Sequence, residues 1–134
     1  MKSVYIAGPL FNTHERWYLE RIAETLEMAG YQTFLPHRDA GLVKLGSTEE
    51  RLRIFKIDID ALNAADFIVA LLTGADHDSG TSAELGYMYA SGKSCFGISD
   101  DKRGALNNII WGICGNGELI VRSIDDLLPL IKKP

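Results

Sequence analysis

Phe67-Ile68-Val69-Ala70-Leu71-Leu72 is the stretch from which the fold can be read. Six apolar residues follow one another with no polar alternation. A strand with one wet face alternates, whereas a strand covered on both faces, as at the centre of a parallel sheet, does not. Upstream, Ser47 caps a helix that runs to about Ala64, with Glu50 three residues after the cap. Residues 37 to 47 read as a loop, and Tyr31 to Leu35 as a strand stopped by Pro36. Before it lies a helix capped by Asn12 or Thr13 and ended by Gly30; Leu19, Ile22, Ala23 and Leu26 form its buried face. Val4 to Ala7 is the first strand, closed by Gly8-Pro9. Downstream come a turn at 74 to 80, a helix from Thr81 to Gly92 and a strand from Ser94 to Ile98. A short helix over Leu106 to Trp111, a strand over Leu119 to Val121 and a last helix from the Ser123 cap to about Ile131 complete the chain. The order βαβαβαβαβα predicts one α/β domain over residues 1–134. Its five-stranded parallel sheet is doubly wound, flavodoxin- or Rossmann-like, with helices on both faces. Ligands of such folds bind beyond the carboxyl ends of the strands, which directs attention to loops 8 to 13, 36 to 47, 73 to 82 and 99 to 108.

Composition narrows the function classes. The chain has 134 residues, 46% hydrophobic and 24% charged, with a net charge of −4. That charge argues against general affinity for nucleic acid or an anionic membrane. Two cysteines, Cys95 and Cys114, exclude a disulfide scaffold and a four-cysteine zinc site. No apolar run approaches the ~20 residues of a membrane span, and the start reads as strand and turn rather than a signal peptide. The expectation is a soluble, cytoplasmic protein.

The richest segment is Asp76-His77-Asp78-Ser79-Gly80-Thr81-Ser82-Ala83-Glu84-Leu85-Gly86-Tyr87. It follows the central strand and opens a helix. Gly80 lets the chain pass close to a ligand. Glu84 falls in the first turn or so, where the helix dipole favours its carboxylate; it is either a nucleophile or a simple complement to the dipole. On the preceding helix, Leu52, Phe55, Ile59 and Leu62 form the main apolar face. Asp58 lies at its edge, about 80° from the centre, and Asp60 points to solvent. Asp58 is thus the candidate for a partly buried acid, the alternative being an ion pair with Arg51 or a neighbouring helix. Ile54, Ile57 and Ala61 form a second stripe, read as a subunit interface. Trp17 lies roughly 160° from the apolar face of its helix, which suits a base pocket, a subunit contact or a crowded flank. His37-Arg38-Asp39 lacks the context of a kinase motif. Gly112, Gly115 and Gly117 do not follow a dinucleotide fingerprint. Three adjacent residues such as Asp76-His77-Asp78 rarely face one metal ion.

Four places in the chain resemble the nucleoside 2-deoxyribosyltransferase family: Tyr5-Ile6-Ala7-Gly8-Pro9-Leu10-Phe11, Asp58 before Asn63-Ala64-Ala65-Asp66-Phe67, the segment Asp78 to Tyr87, and Leu106-Asn107-Asn108-Ile109-Ile110-Trp111-Gly112. The resemblance implies that Glu84 attacks C1′ of a 2′-deoxynucleoside, that Tyr5 orients Glu84, and that Asp58 protonates the departing base. It implies that Asp78 holds sugar hydroxyls beside Ser79 and Gly80. Leu10, Phe11 and Trp17 sandwich the base next to Gly8. It further implies a homo-oligomer, a dimer or an assembly of dimers, in which Asn107 completes the neighbour's site. The expected partners are 2′-deoxynucleosides and free nucleobases, with no metal or organic cofactor.

Physical chemistry supports these roles. Cleaving an N-glycosidic bond builds positive charge at C1′, which a carboxylate stabilises and captures. A nucleobase leaves poorly without a proton, so a second carboxyl group in a different environment is needed. A related branch of the family hydrolyses deoxynucleoside 5′-monophosphates and has a serine where Asp78 stands. Asp78 would repel a phosphate, whereas hydroxyls on Ser79, Thr81 and Ser82 keep the nucleotide reading open. A nucleoside- or nucleotide-binding sensor on the same fold would need no nucleophile.

Overall fold

The computed structural model describes residues 2–41, 46–74, 77–101 and 107–133. Its strands are β1 (Ser3–Ala7), β2 (Gln32–Phe34), β3 (Phe67–Leu71), β4 (Ser94–Ile98) and β5 (Ile120–Val121). They form one parallel sheet in the order β2-β1-β3-β4-β5. All five residues of β3 are buried, as the unbroken apolar run requires. The chain leaves β1 in one direction and β3 in the other, so the topological switch point, and the crevice it opens, lie between these two strands.

Helix α1 (Thr13–Met28) starts where its cap dictates. The Asn12 side chain accepts from the Glu15 amide, and the Glu15 carboxylate accepts in turn from the Phe11 amide. Gly30, at φ +97°, ends it in the left-handed conformation that glycine adopts without strain. Leu19, Ile22, Ala23 and Leu26 are buried together with Val4, Ile6 and Leu127 on one face of the sheet. The other face carries Tyr5 and Ala7 beneath α3 (Thr48–Ala64), α4 (Ser79–Ala90) and α5 (Asn108–Ile113), through Leu62, Leu85, Met88 and Ile110. Because side chains alternate along β1, neighbouring residues of one short strand serve different layers.

Four local expectations change. Residues 37 to 39, expected as the start of a loop, instead belong to a short helix, α2 (Pro36–Asp39), started by Pro36. The helix expected from Thr81 begins at Ser79, because Asp78 is its cap. The late helix spans Asn108–Ile113 rather than ending at Trp111, and Leu106 lies outside the described residues. The last helix is a 3₁₀ turn (Ile124–Asp126) followed by α6 (Leu127–Ile131).

The largest correction concerns α3. Of its expected main face only Leu62 is buried; Leu52 and Phe55 are 61% and 64% exposed. Ile59 and the second stripe, Ile54, Ile57 and Ala61, are half-buried. Length explains this. The helix has 17 residues, about 25 Å, against about 17 Å for a five-residue strand. Its C-terminal half covers the sheet, and its first half runs past the carboxyl ends of the strands, beside the crevice. None of the described helices is long and apolar enough to cross a membrane.

Candidate active site

Three residues from three elements meet beyond the switch point. Tyr5 is the third residue of β1, fully buried beneath α3 and α4. Its hydroxyl donates to Oε2 of Glu84 on α4. Burial, and then the Glu84 carboxylate, push the phenol far up, so Tyr5 remains a donor throughout the accessible pH range. Glu84 is the sixth residue of α4, past the first turn where a helix dipole acts. The carboxylate-favouring dipole expected from its sequence position is therefore overridden. Burial dominates and raises the Glu84 pKa to about 7; the Tyr5 hydrogen bond lowers it, and Asp58 and Asp78 raise it further.

Asp58 lies half-buried on α3. Burial pushes its carboxyl up to about 6. The ion pair with Arg51 that would have made Asp58 structural is not formed, and its Oδ1 is buried without a hydrogen-bond partner among the described residues. Asp60 faces solvent and pairs with Lys56 at 2.7 Å. The difference that helical spacing predicts between these two aspartates is present.

Asp78 caps α4. Its Oδ2 accepts from the Thr81 amide at 2.9 Å and the Thr81 hydroxyl at 2.8 Å, while the Ser82 hydroxyl donates to the Asp78 carbonyl at 3.0 Å. Thr81 is buried. Two of the three hydroxyls read as available to a phosphate are thus engaged within the helix start. Ser79 and Gly80 are exposed there. Asp76 lies outside the described residues.

The other expected residues divide. Gly8 has a packing reason, since a Cβ there would lie 2.7 Å from a Leu19 methyl and 3.1 Å from Leu71 Cβ. Leu10 packs against the core on the α1 side. Phe11 is 79% exposed at the crevice loop. Trp17 is not brought to the site: it sits on α1, on the other side of the sheet from Tyr5, 59% exposed with the Arg21 guanidinium over its ring. Of its readings the flank or a subunit contact survives, because α1 packs on the Val4/Ile6 face. Asn107 is exposed, and its side chain accepts from the Ile109 amide to cap α5.

One neighbour of the site was missed. The Phe34 ring stacks on Tyr5 with centroids 5.3 Å apart and planes 20° from parallel. The two residues are register partners on β2 and β1, and inter-strand register is not a local property of sequence.

Two half-buried carboxyl groups with raised pKa values, one of them held by a tyrosine hydroxyl, have the chemistry that an acid and a nucleophile require. The model of a family described as nucleoside 2-deoxyribosyltransferase matches residues 4–122. The chain belongs to the nucleoside 2-deoxyribosyltransferase family. The family's description is that of an enzyme transferring the 2-deoxyribosyl group of nucleosides. Among solved structures, a 2-deoxyribosyltransferase from Bacillus psychrosaccharolyticus is 26% identical with a TM-score of 0.79, over 93% of this chain and 89% of that one. A conserved protein from Enterococcus faecalis is also 26% identical, with a TM-score of 0.78 and 98% of both chains covered. A CMP N-glycosidase from Clostridium botulinum shares the fold at 19% identity, with a TM-score of 0.63 over 98% of this chain and 100% of that one. No curated protein sequence matches. Tyr5, Asp58 and Glu84, to which the sequence resemblance gives the roles of orienting group, acid and nucleophile, come from β1, α3 and α4 and interact in one site.

Proposed function

We propose that the protein transfers the 2-deoxyribosyl group between the nucleobases of 2′-deoxynucleosides, through a covalent deoxyribosyl–Glu84 intermediate. The observation that carries this reading is the half-buried Glu84 carboxyl, held by Tyr5 near a half-buried Asp58 whose Oδ1 has no partner among the described residues. Tyr5 occupies Oε2, leaving Oε1 to attack C1′. As the C1′–N bond breaks, its electron pair goes to the base nitrogen, which takes the Asp58 proton. In the second half an incoming base attacks C1′, Asp58 accepts its proton, and the Glu84 carboxylate leaves. Water in place of the base gives hydrolysis.

The two carboxyl pKa values, about 6 for Asp58 and about 7 for Glu84, favour one shared proton near neutrality. The productive arrangement has the proton on Asp58, and positive charge developing at C1′ favours it by stabilising the ionised form of Glu84.

Asp78 supports a nucleoside over a 5′-monophosphate. Its carboxylate repels a phosphate, and Thr81 and Ser82 are already hydrogen-bonded at the start of α4. In this reading Asp78 uses its remaining oxygen for sugar hydroxyls beside Ser79 and Gly80, while Leu10 and Phe11 flank the base beyond Gly8. The exposed Leu52 and Phe55, on the part of α3 beside the crevice, support assembly with a second copy, whose Asn107 reaches this site.

Incubation with deoxyinosine and free adenine should yield deoxyadenosine with ping-pong kinetics. A 2-fluoro-arabino nucleoside should label Glu84. Preferred cleavage of a deoxynucleoside monophosphate to free base, without transfer, would establish the hydrolase instead. Labelling at another residue during full turnover would sink the role of Glu84. A Glu84→Ala variant that keeps all biological activity would favour a sensor.

A further inference from the structure

The hydroxyl of Tyr5 holds Glu84, and among the described residues Glu84 is its one hydrogen-bond partner. What meets its ring face is Phe34, stacked at 5.3 Å and 20°. Phe34 ends β2, the edge strand, which is only three residues long. It is half-buried, and it lines a cleft of about 570 Å³ between β2 and the end of α3, together with Thr33, Ala61, Ala64 and Ala65. The Tyr5 ring is thus stacked against a ring that itself borders open space. An aliphatic side chain in place of Phe34 would leave Tyr5 room to tilt toward that cleft. A phenol tilted about its own strand moves its oxygen most, since the hydroxyl is the atom farthest from the backbone.

We propose that Phe34 is a positioning residue for the deoxyribosyl transfer: its ring clamps Tyr5 at the angle that delivers the hydroxyl to Glu84. The inference rests on the reading of Glu84 as nucleophile. Phe34 touches no reacting atom and acts through Tyr5 alone. The groups facing Glu84 are Tyr5 from β1, Asp58 from α3 and Asp78 at the start of α4; a change at Phe34 reaches Glu84 only through the first of them. The Tyr5 hydrogen bond favours ionised Glu84, so weakening it should depress turnover most where protonation of Glu84 limits the rate.

The experiment compares Phe34→Leu, Phe34→Tyr, Tyr5→Phe and the Phe34→Leu/Tyr5→Phe double variant, from about pH 5 to pH 9. Phe34→Leu should lose about tenfold in kcat/KM near pH 6 and little at pH 9, the scale expected for a misplaced positioning group. Phe34→Tyr keeps the stack, has the cleft to receive its hydroxyl, and should recover the wild-type pH dependence. In the Tyr5→Phe background, Phe34→Leu should add nothing. A loss that is equal at all pH values, or that adds fully to that of Tyr5→Phe, overturns the inference and leaves the transferase reading intact. Carbon-13 NMR titration of the Glu84 carboxyl gives a readout without turnover. Phe34→Leu should move its midpoint upward, and an unmoved midpoint in a folded variant likewise overturns the proposal. If instead the wild type performs no transfer while the midpoint moves as expected, the clamp stands and the functional reading fails.

Discussion

Replacing Tyr5 by Phe removes one oxygen and with it the hydrogen bond to Glu84. The size of the effect follows from the site. A hydrogen bond to a charged group contributes roughly 1.5–3 kcal/mol, or about one to two pH units of Glu84 ionisation. Because the bond lowers the Glu84 pKa, its loss should carry the value from about 7 to about 8 or 9. The productive form has Glu84 ionised and Asp58 protonated. Below both pKa values, ionisation of Glu84 limits that form, so kcat/KM should fall by the whole shift, about tenfold to a hundredfold. Above both, Glu84 is ionised in either protein and protonation of Asp58 limits, so the two rates should converge. The signature in kcat/KM for deoxyinosine-to-adenine transfer, followed by chromatography from about pH 5 to 9.5, is a large acid-side defect that fades with alkali. The alkaline break of the bell should move upward. A loss of the same size at every pH would refute the reasoning and make Tyr5 a spacer rather than a tuner of Glu84.

Three further outcomes can be checked. Glu84→Gln should stabilise the fold at alkaline pH: a carboxyl raised from 4.5 to about 7 contributes stability present below the lower value and lost as pH rises through the upper one. The variant should therefore gain up to about 3 kcal/mol at pH 8, and almost nothing at pH 4, in denaturant melts; equal stability at pH 8 would show that Glu84 ionises freely. Asp58→Asn should lose about a hundredfold or more in kcat with natural purine nucleosides and far less with a substrate whose leaving group needs no proton, whereas equal losses on both would make Asp58 structural. Leu52→Glu with Phe55→Glu should turn an oligomer into monomers in sedimentation and lower activity; a fully active wild-type monomer at micromolar concentration would contradict the shared site.

Local chemistry was enough for much of this molecule. The buried run Phe67–Leu71 required a central strand, Asn12 and Ser47 marked helix starts by the hydrogen bonds they accept, and the βα alternation required a parallel sheet. Helical spacing separated Asp58 from Asp60, because angle along a helix is a property of sequence. What spacing could not show was how far each helix overlaps the sheet, so Leu52 and Phe55, apolar at core spacing, lie outside it. Nor could it show the environment of Glu84. Its place near a helix start suggested an ionised carboxylate, but the burial that raises its pKa, the Asp58 charge on α3 that adds to it and the Tyr5 hydrogen bond from β1 that opposes it all arise from packing. Asp78 and Thr81 are three residues apart in sequence, yet which of the hydroxyls near Asp78 would close on the cap was settled by the fold of the turn. The stack of Phe34 on Tyr5 joins residues 29 positions apart, and it depends on a strand register that hydrogen-bonding between β1 and β2 sets and that neither strand encodes alone.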